Sequence, residues 1–226
     1  RDASLSHFGR EVILEKVYSP VPGNLLPGGL TEAEVRALGL DYAPDPAKAG
    51  QLLAEAGYPN GFSLEVVTSG QPIYRLSYEA MKLQLAHIGI ELTIKPTDHA
   101  AMHRLIREDA NLLVVYSAWR PNADNYLTRF FHSDSIVMTG ARPDTNFSHY
   151  DKIDRLIEAA RLETQPGRQI ELWKQAQIKV LDDMAAYPLY QFKMVDVRKA
   201  YVDYGHDLVS VMPLYPQFTE KTRIVK

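Results

Sequence analysis

The chain has 226 residues, of which 46% are apolar and 23% charged, with a formal net charge of −3 at pH 7. That length supports one sizeable core, and the composition is that of a folded globular protein, not of a disordered, collagenous or coiled-coil one. The small negative charge and the lack of a basic stripe give no field that would draw nucleic acid, and the absence of cysteine excludes disulfides and thiolate metal sites.

A membrane-spanning helix needs about 20 consecutive apolar residues. The densest apolar run here, Leu112 to Tyr116, is far shorter and has the length of a buried strand. The chain opens Arg1-Asp2-Ala3-Ser4, with no methionine and no apolar signal region, so its N-terminus is expected to come from cutting a longer protein. The lack of cysteine is compatible with export, as it is with other compartments.

Val17 to Leu30 (VYSPVPGNLLPGG and its last leucine) is too rich in Pro and Gly for regular structure. A helix follows. Asp45 suits its N-cap, Pro46 its first turn and Gly57 the position after its end, with Ala49, Leu52, Leu53 and Ala56 as an apolar face. Pro59-Asn60-Gly61 is a turn. Phe62 to Thr68 reads as a strand. Ile73, Leu76, Ala80 and Leu83 line a helix that stops at Gly89. Ile90, Leu92 and Ile94 alternate as in a strand, and Met102, Leu105 and Ile106 mark a shorter helix. Leu112 to Tyr116 is expected to be a central strand. This β-α-β-α-β order predicts an α/β lobe whose mostly parallel sheet is flanked by helices.

Two helices then follow without a strand between them. Ile153, Leu156, Ile157 and Ala160 face inward on the first, Ile170, Trp173, Val180 and Met184 on the second, and Gln165-Pro166-Gly167 separates them. From Tyr187 onward, Pro188, Pro213 and Pro216 lie among β-formers such as Val195, Val197 and Tyr201. That tail predicts short strands and loops leaving the main lobe. There is no internal repeat.

No G-x-S-x-G elbow and no lysine-bearing phosphate loop is present. Pro27-Gly28-Gly29 lacks the strand and helix that a nucleotide loop needs. His99 and His103 share a helix face at a spacing that can grip a metal, but Ala100 stands where the zincin motif needs Glu, and the pair reads as a solvated face. Asp182 and Asp183 point different ways on a helix and read as surface. No metal and no cofactor is expected.

Ser117 to Phe131 (SAWRPNADNYLTRFF) begins where the third strand should end, the place where open α/β sheets meet ligands. Trp119 offers a flat apolar face, Arg120 two parallel donors for a carboxylate, Asn122 an amide, and Asp124 a partner for an amine. The alternative is that Trp119 plugs the core and the charges are solvated. In Arg142 to Asp154 (RPDTNFSHYDKID), Arg142, Asn146 and Tyr150 are candidates for the same cleft. Equally, Ser148 or Asp151 caps the next helix and the rest is loop packing.

The order of motifs resembles the C-terminal portion of the family 5 extracellular solute-binding proteins, the peptide, nickel and opine receptors of ABC importers. DYAPDPAKAGQLLAEAGYPNGF resembles the family's Y-D-P-x-K-A-x-x-L-L-x-E-A-G-Y-x-x-G-F block. EAMKLQLAHIGIELTIK, NFSHYDKIDRLIEAAR and GRQIELWKQAQIKVLDDMAAYPLY resemble three further blocks in the family's order, together spanning roughly Val17 to Tyr201.

The resemblance implies a periplasmic-binding-protein type II lobe. Residues 1–200 would form the second ligand-binding lobe, without its first strand, and 201–226 the segment returning toward the first lobe. It implies capture of a small solute, oligopeptide-like by family default, between two hinged lobes and delivery to the transmembrane subunits of an ABC permease. It implies a monomer in the bacterial periplasm, or one tethered as a lipoprotein, and no catalysis. Trp119 matches an aromatic that lines the family's pocket. Asn122 stands where peptide receptors carry an aspartate for the peptide's amine, and an amide cannot supply that charge. Arg120 and Arg142 would suit an anionic or sugar-like ligand instead. The competing readings are a hydrolase on the same lobe, which would need a base and a nucleophile in one cleft, and a sensor or chaperone module.

Overall fold

The computed structural model describes residues 1, 6, 13–192, 198–206 and 218–225. In chain order the elements are β1 (Ile13–Lys16), α1 (Glu32–Ala37), α2 (Pro46–Glu55), β2 (Phe62–Ser69), α3 (Pro72–Ala86), β3 (Ile90–Thr97), α4 (His99–Arg107), α5 (Ala123–Phe131), α6 (Asp154–Leu162), α7 (Pro166–Asp182), β4 (Tyr190–Phe192), β5 (Val202–Asp203) and β6 (Arg223–Ile224). The predicted Pro/Gly segment is a run of bends and turns, and the tail contains the short strands expected of it. Val195, Val197, Pro213 and Pro216 lie outside the described residues.

β2 and β3 pair in parallel over eight residues each, from Phe62 opposite Ile90 to Ser69 opposite Thr97. Their in-step start depends on two glycines. Gly61 and Gly89 both have positive φ, and a Cβ on Gly61 would lie 1.9 Å from the carbonyl oxygen of Gly89. Only glycine lets the two entry turns cross this closely. α3 packs on this pair. Its buried line runs through Ser77 and Tyr78 toward Met81 and Leu85, closing a core with Val66 and Leu92. β1 and β4 form a small antiparallel ribbon, as do β5 and β6.

The second core lies between α5, α6 and α7. Ala123, Leu127, Ile153, Ile157, Ala176 and Val180 are fully buried there. Val21, from the Pro/Gly segment, joins them because α7 carries a buried polar residue, Gln177. Its Oε1 accepts from Val21 N at 3.1 Å, and its Nε2 donates to the Gly28 and Trp173 carbonyls. A loop without secondary structure needs such partners to bury its backbone. Gly28 has φ +87, and a Cβ there would meet the Trp173 ring at 2.7 Å.

The structure corrects several expectations. Leu112 to Tyr116 is not a paired strand; Leu112 and Leu113 are bends, and Leu112 is 91% exposed. Side chains take the places of a backbone ladder. The Asn111 amide accepts from Val67 N and donates to Val67 O, both at 2.9 Å. The Tyr78 hydroxyl accepts from Val115 N and donates to Leu113 O. On α2 none of the apolar face is buried, and Leu52 is half exposed. Leu83 lies on the outer side of α3, and Met184 falls past the end of α7 with positive φ, exposed. Asp45, Pro46 and Gly57 stand where expected, the Asp45 carboxylate accepting from Lys48 N at 2.9 Å.

Candidate ligand-binding shelf

β2 and β3 run in the same direction and end at Ser69 and Thr97. Immediately beyond β3, Asp98 caps α4, accepting from Ala100 N and Ala101 N. The cap sets His99 in the first turn, where its Nδ1 lies 3.2 Å from Ser69 Oγ. His103 follows one turn on, its ring 4.6 Å from that of His99 and edge-on to it. Tyr74, from the first turn of α3, contacts both rings. The pair read from sequence as a solvated helix face is therefore half-buried among aromatics. Burial pushes the His103 imidazole below its ordinary pKa, with the neighbouring His99 and Arg107 charges acting the same way.

The segment pinned by Asn111 and Tyr78 carries Tyr116 to this end of the sheet. Tyr116 lies 5.9 Å from His103, 5.1 Å from Phe147 and 5.9 Å from Phe130. Phe130 in turn stacks with Tyr126 on α5. The rings thus form a continuous shelf from Tyr74 to Tyr126. Arg107 borders it, donating to the Tyr116 hydroxyl at 3.2 Å and to the His103 carbonyl at 2.9 Å.

Arg120 continues the shelf, bonded to the main chain of Trp119 just before it. Both are half-buried. The Arg120 guanidinium stands 5.3 Å over the Phe130 ring, and its Nη1 donates to the Trp119 carbonyl at 2.9 Å. Its Nε is buried with no hydrogen-bond partner among the described residues. Loss of water works against its charge and lowers its pKa.

The other predicted site residues are placed elsewhere or already engaged. Asn122 is the N-cap of α5, accepting from Asn125 N at 2.9 Å. Asp124 pairs with Arg161 of α6 at 2.8 Å. Asn146 is fully buried and its amide is saturated. Nδ2 donates to the His132 and Tyr150 carbonyls, while Oδ1 accepts from Tyr150 N and Ser148 Oγ. Two donors and two acceptor lone pairs are all an amide has. Arg142 is exposed and borders a polar cleft of about 320 Å³ with Thr128, His132, Asp134, Ser135, Glu158 and Arg161. Sequence reasoning did not bring Tyr74, Tyr116, Phe130 and Phe147 to the site.

Among the described residues no group of three or more His, Cys, Asp or Glu side chains could hold a metal ion, and no helix is long and apolar enough to cross a membrane.

The sequence profile described as "Bacterial extracellular solute-binding proteins, family 5 Middle" matches residues 8–137. Heme-binding protein A of Haemophilus influenzae is 31% identical over 150 residues, covering 62% of this chain and 26% of that protein. Glutathione-binding protein GsiB of Salmonella choleraesuis is 29% identical over 163 residues, covering 67% and 31%. Among solved structures, MoaA of A. tumefaciens R10 in complex with mannopinic acid superposes with a TM-score of 0.78 at 35% identity, covering 99% of this chain and 46% of that one. DppA of Helicobacter pylori in complex with the peptide STSA gives 0.76 at 20% identity, a likeness of fold alone, covering 100% and 41%. The chain therefore spans less than a third of these curated relatives and under half of these solved chains.

Proposed function

The chain belongs to the bacterial extracellular solute-binding proteins of family 5, and from that membership we propose that it supplies one wall of the ligand cleft of an ABC importer's receptor. Residues 1–200 form the ligand-binding lobe in this reading, and 201–226 the segment that returns toward a partner lobe. The receptor works as a monomer outside the cytoplasmic membrane and hands its solute to the permease's transmembrane subunits. It binds without breaking a bond, so it needs no activated nucleophile.

One observation carries the assignment of the site. The shelf from Tyr74 to Tyr116 lies beside the carboxyl ends of parallel strands β2 and β3, where open α/β sheets meet ligands. Flat rings supply contact area at low entropic cost, and Trp119 and Arg120 supply oriented polar groups. Asn122, Asp124 and Asn146 serve the lobe's own architecture in this reading, while Arg142 borders a polar cleft elsewhere.

The ligands named for similar proteins form a first panel: mannopinic acid, glutathione and heme. Isothermal titration and thermal unfolding of the full chain are measured with each. At least one is expected to bind and raise the unfolding midpoint, as any ligand that prefers the folded state must. Trp119→Ala should weaken it about tenfold or more, the usual cost of truncating an aromatic anchor. Binding that is indifferent to Trp119→Ala and to Tyr116→Ala would refute the site assignment.

A further inference from the structure

Charge at the shelf is not balanced by the protein. Two guanidinium groups border the shelf, that of Arg107 at the Tyr116 hydroxyl and that of Arg120 over the Phe130 ring. Among the described residues neither has a carboxylate within 4.0 Å. Arg107 spends its hydrogen bonds on a carbonyl, a hydroxyl and the His103 ring, and Arg120 on a single carbonyl.

The acids near Arg120 are already taken. Asp144, whose field reaches Arg120, is ion-paired with Arg129. Asp124 is held by Arg161. The remaining charged and titratable groups acting on Arg120 are Tyr116, Tyr126 and Arg129, none of which is an anion at neutral pH. A half-buried guanidinium with an orphaned Nε is costly in this state, because a polar group that has lost its water needs a partner.

We infer that the shelf takes a carboxylate-bearing solute, its acidic head on Arg120 and its flat or apolar body on Tyr116, Phe130 and Phe147. The inference rests on the shelf being the ligand face and adds the chemical class of the ligand. A carboxylate matches the planar fork of arginine and would pair with the terminal N–H donors that the one bond to the Trp119 carbonyl leaves open. A ligand ammonium finds no such welcome. It would meet two like charges and, among the described residues, no uncommitted carboxylate on the shelf.

The test compares two probes of equal size, N-acetyl-phenylalanine and N-acetyl-phenylalanine amide, by titration of the full chain at millimolar concentration. The acid is expected to bind about 10- to 100-fold more tightly than the amide, the range for a charge-assisted hydrogen-bonded pair. Arg120→Met should abolish the difference in affinity between the acid and the amide. Arg120→Lys should recover only part, since an ammonium keeps the charge but loses the fork. Added salt should weaken the acid alone, a readout on the native chain that holds even if a variant folds poorly. Equal affinity for both probes, with Trp119→Ala weakening both, would overturn the acidic class while leaving the shelf in place. No binding of either probe, together with none from the first panel, would overturn both.

Discussion

Asn146 was a candidate ligand contact by sequence, and its replacement tests the structural role found for it. It is 0% exposed. Asn146→Ala removes the donors that reach the His132 carbonyl at 3.1 Å and the Tyr150 carbonyl at 2.7 Å, and the acceptor for Tyr150 N at 3.2 Å. The His132 carbonyl keeps a second partner, Ser135 N at 3.0 Å. The loss therefore falls mainly on the two main-chain groups of buried Tyr150. An unsatisfied buried polar group costs about 1–3 kcal/mol, so the variant should lose about 3 kcal/mol in all. For a chain of this size that lowers the unfolding midpoint by roughly 6–12 °C. Urea titration with fluorescence and circular dichroism measures it directly. Asn146→Asp separates the hydrogen bonds from the volume. It keeps the shape, loses both donors and sets a negative charge against two carbonyls. It should be at least as destabilising as Ala at neutral pH and recover partly in acid, where a protonated carboxyl again has one donor. A loss below about 1 kcal/mol for Asn146→Ala would refute the clamp.

Two further predictions concern the same balance between architecture and chemistry. The Glu34 carboxyl is held down to about 2, chiefly by its hydrogen bond with Lys174 and then by those with Thr31. A depressed carboxyl contributes stability above its unfolded pKa of about 4.5 and loses it as pH falls toward about 2. Glu34→Gln should flatten the acid limb of the stability curve between those values, and an unchanged limb would show that the pair contributes nothing. Asn122→Ala should cost about 1 kcal/mol as a lost N-cap, whereas Asn122→Asp should hold the helix end equally well. Urea midpoints distinguish the two, and an Asp variant as weak as Ala would contradict the capping role.

Local rules were legible wherever neighbours in sequence are neighbours in space. Asp45, Pro46 and Gly57 bound α2 as their chemistry requires, and the alternation of Ile90, Leu92 and Ile94 is a strand buried on one side. Motif order was legible too, and it led to the family that the profile match establishes. Periodicity alone failed at Leu83 and Met184, because an apolar stripe marks which residues could be buried and not how far the helix rotates or where it ends. It failed at Leu112 to Tyr116 because strand pairing is a property of the neighbour. There, Asn111 and Tyr78 supply side-chain groups where a backbone ladder was expected.

The site divides in the same way. The sequence by itself determined that a tryptophan and an arginine follow the last apolar run of an α/β unit, and the structure sets Arg120 over the Phe130 ring. Residue types could not say which polar groups were spent. Only the tertiary structure decided that Asn122 caps a helix, that Asp124 answers Arg161 and that Asn146 is saturated by its own loop. Only it brought Tyr74, His103, Tyr116 and Phe147 onto one surface from four distant segments. The reason is physical. A hydrogen bond or ion pair is made once, and which partner takes it depends on distances that no local pattern contains.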